Sequence, residues 1–372
     1  MADWLATSLE RWVDAGLLEK TAAEKIRAFE AERDSTGGLR WQVVLALGFG
    51  ALLVGAGVLL FVSAHWDRIS PASRFALVLA MVAVFHVAGA LTERAFPALA
   101  TALHALGTAA LGAGIFLTGQ IFNLDEHWPA ALMVWAAGAW LGFWLRRDWV
   151  QGTLACLLTP AWLAGEWDVA AGRFIGYETV VARGILLLAL AYLSARASGL
   201  DSPLRRALVW CGGLALLPAA ILLFVGGGSR WRQSLPESLE LWGLAAGLGL
   251  PFAAAWLLRR RDAWVLLACT VWVFALEFMV RETEGDAILQ YFWLAVGAVG
   301  LVAWGLKDRR KERVNLGVVG FALTVLAFYS SRVLDKMERS VGMVGLGLLF
   351  LGGGWLLERM RRRLVARLED RP

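Results

Sequence analysis

The chain has 372 residues, 59% of them hydrophobic and only 18% charged, with a formal net charge of +5 and a sequence pI of ≈ 9.4. Soluble domains hold about 25% charged residues, and the shortfall here comes from repeated apolar runs, a polytopic membrane signature. The basic excess does not point to nucleic acid. Lys and Arg fall in short clusters at the ends of apolar runs, where they set topology.

In residues 1–36, Leu5, Leu9 and Trp12 share one helical face, and Ala15-Gly16 breaks the helix. Thr21 and Glu24 have capping-box spacing and open a second helix with Ile26 and Phe29 on one side. The two form a cytoplasmic αα-hairpin too small for a core of its own. It therefore docks on the membrane, a second copy or a protein partner, or serves as an N-terminal anchor on the chain's own cytoplasmic loops. Asp34 to Gly38 is the linker.

The membrane part starts with a hairpin, Leu47 to Ala90, whose polar corner runs from Ala64 to Pro71. Ser70 can cap the second helix, and Pro71 fits its first turn. From Trp41 onward the apolar pattern predicts about twelve spans, near 41–63, 72–92, 98–122, 128–145, 149–165, 177–195, 207–225, 239–258, 262–279, 288–306, 313–330 and 340–357. Pro160 interrupts the fifth. The expected fold class is an all-α polytopic integral membrane protein. Its parts are the hairpin 1–36, a first four-span unit 37–145, eight further spans over 146–358, and a basic tail 359–372.

Alternating the loops with a cytoplasmic N-terminus puts 26 of the 36 Lys and Arg on the inner side, with both termini inside. Outer segments carry acids instead, among them Asp125-Glu126, Glu166 to Asp168 and Glu237. Trp144, Trp256, Trp304 and Trp355 precede basic clusters, while Trp66, Trp128 and Trp167 lie at the opposite face, as interfacial belts require. The tail from Glu358 to Arg371 reads as a helix on anionic lipids of the inner leaflet. Cys156, Cys211 and Cys269 sit inside apolar runs without metal-ligand spacing and read as packing residues. No metal site or cofactor is expected.

The N-terminal pattern Leu9-Glu10-Arg11-Trp12, Ala15-Gly16-Leu17-Leu18, the hairpin residues Gly55-Ala56-Gly57, Trp66-Asp67, Ile69-Ser70-Pro71 and Arg74-Phe75, and the later Gly112-Ala113-Gly114-Ile115, Gly119 to Leu124 and Trp128-Pro129 resemble a bacterial family of predicted membrane proteins, domain of unknown function 2157. The resemblance covers about residues 1–150. It implies an integral protein of the bacterial cytoplasmic (inner) membrane, and it lends no catalytic residues.

The polar residues expected at the outer rim of the first four spans are His65, Asp67, Arg74, Gln120, Asn123 and His127. Histidine beside carboxylates suits acid–base work or headgroup binding; capping and interfacial anchoring account for the same residues more plainly. His86 and His104 lie about six residues from a shared turn, where they either hydrogen-bond within the bundle or hold a haem. Arg183 and Glu277 fall inside apolar spans, where a charge is costly, and form a candidate intramembrane ion pair. Three functional classes follow: a transporter-like or lipid-handling protein, a scaffold or sensor acting through the N-terminal hairpin, and a membrane-embedded enzyme using the rim. No residue spacing demands the last.

Overall fold

The computed structural model describes residues 9, 11–36, 49–50, 53, 57, 70–122, 127–174, 177–196, 201–226, 235–282, 288–333, 351–352 and 359. Among them every regular element is helical: α1 (Lys20–Thr36), α2 (Pro71–Thr92), α3 (Pro97–Phe122), α4 (Pro129–Arg146), α5 (Trp149–Ala171), α6 (Glu178–Leu193), α7 (Pro203–Gly226), α8 (Glu237–Arg259), α9 (Val265–Glu282), α10 (Ile288–Lys307) and α11 (Lys311–Phe328). Among the described residues six segments are long and apolar enough to cross a membrane: Pro71–Thr92, Pro97–Gly119, Pro203–Phe224, Glu237–Arg259, Ile288–Lys307 and Lys311–Ser331. Val265–Met279 is a shorter apolar helix. Of the expected spans near 41–63 and 340–357 only residues 49–50, 53, 57 and 351–352 are described, each helical, and the rest of both spans, with the expected C-terminal tail apart from Arg359, lies outside the described residues. The described residues are thus all-helical, with several apolar helices of membrane-spanning length.

The chain divides into two compact units, Met1–Gly114 and Ile115–Pro372, with the division inside α3. In the first unit, residues 11–14 are helical and Gly16 ends that turn at φ 70°. Leu9 is fully buried, whereas Leu17 and Phe29 are exposed. Ser70 caps α2 by accepting from the Ser73 amide, and Pro71 occupies its first turn. Helices α2 and α3 run antiparallel. Gly89 faces His104, Gly107 faces His86 and Gly114 faces Val78. On α2, Leu79, Val84, Val87 and Leu91 remain exposed, the apolar exterior that lipid requires.

The second unit is built around α6. Twelve of its 16 residues are buried, from Thr179 to Leu193. Leu186 and Leu187 of α6, Leu223 of α7, and Leu266, Val273 and Leu276 of α9 share one core. In a bilayer, lipid tails are as apolar as leucine, so close packing rather than burial from water holds such helices together. The sequence supplies small residues for it. At Gly212 an added Cβ would lie 2.5 Å from the Ala189 carbonyl of α6. At Gly184 it would lie 3.3 Å from the Gly247 Cα of α8. Helix α5 continues through Pro160 as one helix of 23 residues, beyond the 149–165 expected. Large apolar side chains such as Trp210, Leu214, Trp242, Leu257 and Phe292 face outward.

One end of this unit is knotted by charge. Asp308, in the turn between α10 and α11, accepts from Arg259 Nη1 at 2.9 Å and Trp304 Nε1 at 3.0 Å, and pairs with Arg313. Arg313 reaches past the carboxylate to the carbonyls of Leu193 and Arg196, each at 3.1 Å, and Arg205 donates to those of Ala195 and Leu258. Two arginines thus satisfy carbonyls left open past the C-terminal end of α6, where cations are favoured.

Candidate functional site

Helix α4 begins at Pro129, just after His127 and Trp128. The Trp128 ring lies so close over α5 that a Cβ at Gly165 would meet it at 2.8 Å. That contact seats His127 beside the next residue of α5. His127 Nε2 stands 2.6 Å from Glu166 Oε2, with the two side chains 48% and 34% exposed. The other carboxylate oxygen, Oε1, accepts from Trp162 Nε1 at 2.8 Å, one helical turn earlier. Nearby, Trp167 Nε1 donates to the Tyr177 carbonyl at 2.9 Å, and the Tyr177 hydroxyl donates to Asp168 at 2.9 Å.

Glu166 is the one charged residue among those lining a groove of ≈ 370 Å³ between α5, α6 and α8. The walls are otherwise apolar, and Pro160, Trp167, Gly184, Trp242, Gly243 and Pro251 set their shape. Small residues line it on all three helices: Ala164 and Ala170 of α5, Gly184 of α6, and Gly243, Ala246 and Gly247 of α8. A groove of this size, apolar but for one carboxylate, suits a molecule with one polar head and an apolar chain.

On a different face of α6 lies a buried ion pair. Arg183 Nη1 donates to Glu277 Oε2 of α9 at 2.9 Å, with the side chains 6% and 3% exposed. The guanidinium also stands 4.9 Å from the centre of the Phe274 ring. The pair closes two charges that neither helix could carry alone in hydrocarbon.

Of the rim residues expected from sequence, His65, Asp67 and Asn123 lie outside the described residues, as does the side chain of Gln120 on α3. Arg74 sits in the first turn of α2, its amide bonded to the Ser70 carbonyl at 3.0 Å. His127 belongs to the second unit and finds Glu166, which sequence reading places only among the outer acids. Their separation of 39 positions along the chain hides the pair. The cue in the sequence is Trp162-x-x-x-Glu166, an indole donor one turn before an acid at the end of an apolar run. Among the described residues no group of three or more His, Cys, Asp or Glu side chains is placed to hold a metal.

Residues 10–151 match the model of a family described as predicted membrane protein (DUF2157). No curated protein and no solved structure matches the chain.

Proposed function

We propose that this membrane protein handles an amphiphile, a lipid or lipid-like molecule, through the groove between α5, α6 and α8. One observation carries the reading: an apolar trough of ≈ 370 Å³ lined by a single carboxylate, which a histidine and an indole hold. An apolar groove open toward a bilayer does not stay empty, because its lining would lose its dispersion partners. An acyl chain fills it, and the head lies at His127 and Glu166. The chain crosses a bacterial inner membrane about twelve times, with both termini and the Asp308 knot in the cytoplasm. The basic tail rests on anionic lipid.

Native mass spectrometry of protein released gently from its own membrane tests the proposal. The wild type is expected to retain a reproducible amphiphile mass, and Ala246→Phe, which fills the groove, to lose it roughly tenfold or more. The same mixed membrane lipids in equal amounts on both proteins would overturn it.

A second reading, a scaffold working through residues 1–36, draws on the exposed Leu17 and Phe29, 76% and 64% accessible. A polypeptide that co-purifies with the full chain but not after deletion of residues 1–36 would favour it.

A further inference from the structure

The hairpin of α2 and α3 holds a pair of histidines that the groove does not use. His86 Nδ1 lies 2.9 Å from His104 Nδ1, with ring centroids 5.2 Å apart and the planes at 34°. His104 is 5% exposed. The two rings are seated reciprocally. His86 stacks into the space left by Gly107, where a Cβ would meet its ring at 2.8 Å. His104 does the same at Gly89, at 2.6 Å. Each histidine thus stands three residues before the glycine that admits its partner.

Two ring nitrogens at hydrogen-bond distance need one proton between them. In the neutral pair, one ring carries its hydrogen on Nδ1 and donates, and the other carries it on Nε2 and accepts. An added proton goes to the Nε2 lone pair of the donor ring, and the bridge becomes a charge-assisted hydrogen bond. A second would have to take the acceptor's Nδ1. That step breaks the bridge and leaves two cations at the same 2.9 Å. Along α2 no formal charge lies between Arg74 and Glu93, and along α3 none lies from Pro97 to Phe122. The nearest charges on these two helices are Glu93 and Arg94 at the connecting turn. At 1.5 Å per residue, the pair sits about 9–10 Å inside that end of the hairpin.

We propose that His86 and His104 form a single-proton site within the membrane hairpin, one shared proton bridging two imidazoles.

The test is nitrogen-15 histidine NMR on the full chain in lipid bilayers, with His65→Asn and His127→Asn removing the other two histidine signals. The expected result is a scalar coupling between the two Nδ1 nuclei, two different tautomers at high pH, and macroscopic proton uptake in two steps more than ~2 pH units apart. Gly89→Ala keeps both histidines but pushes His104 aside, and should erase the coupling and bring the steps together. His86→Gln should leave His104 with one ordinary step. Two rings of the same tautomer without coupling, or wild-type steps within ~1 unit of each other, would overturn the proposal. Loss of the signals' pairing only in the glycine variant, with the wild type coupled, upholds it.

Discussion

At the scale of single residues, charges decide most. Arg183 and Glu277 are both inside the protein, so removing one partner strands the other. Glu277→Gln should cost about 3–5 kcal/mol in thermal or denaturant unfolding, and the double change Arg183→Leu with Glu277→Leu should recover most of that loss. If the double variant is as unstable as the single one, the two charges do not act as a pair. Asp308 gives a pH prediction. Burial alone would raise its carboxyl, but the hydrogen bond and charge of Arg313, with Arg259, outweigh burial and hold it below its ordinary value of 3.8. A group depressed in the folded state contributes stability above its unfolded value and loses it as pH falls through the folded one. Asp308→Asn should therefore be less stable than the wild type by a constant amount from neutral pH down to about 4, and the gap should close only below that. A gap that closes near pH 6 would point to a histidine instead.

At the scale of helices, the sequence was legible where local chemistry sets the element. Ser70 and Pro71 mark the start of α2, and Gly16 marks the end of the first turn, because a cap, a fixed φ and a left-handed residue are all local. It was less legible where tertiary packing decides. Pro160 reads as an interruption, yet α5 carries it, since neighbouring helices and the proline-facing groove accommodate the ring. Glu166 is invisible as a partner of His127, because only the packing of Trp128 on Gly165 brings them together. A second local feature had no reading in the sequence. Helix α4 is capped by Arg147 in the left-handed region, φ 55°, and Arg309 in the turn after α10 has φ 54°. Two basic side chains thus occupy positions that glycine favours. Arg147→Gly should raise stability by about 0.5–1 kcal/mol in unfolding experiments. Conversely, Gly212→Ala places a methyl against the Ala189 carbonyl and should destabilise by about 1–3 kcal/mol. A neutral result there would mean that α6 and α7 separate at little cost.

At the scale of the whole molecule, charge and apolar surface are sorted by position. In the second unit the arginine knot around Asp308 occupies one end. Glu166 and Asp168 fall near the far end of α5, more than 15 residues along from its start at Trp149. That separation suits a protein oriented by its basic loops. A cysteine placed at Arg309 should react with a membrane-impermeant thiol reagent only in inverted vesicles, and one at Arg173 only in intact cells or spheroplasts. The opposite pattern would reverse the orientation proposed here, and with it the side from which Glu166 is reached.

Helix α6 carries a consequence for how the chain is made. Its 16 residues span about 24 Å, short of the roughly 30 Å hydrocarbon core, and include an arginine. Wrapped by its neighbours, it has almost no side to offer lipid, so it gains little from entering the bilayer by itself. The counter-charge it needs is 94 residues further along and is synthesised later. Insertion of this segment is therefore a joint act of several helices, and a ribosome stalled before Glu277 would hold a nascent chain whose central helix has nowhere to settle.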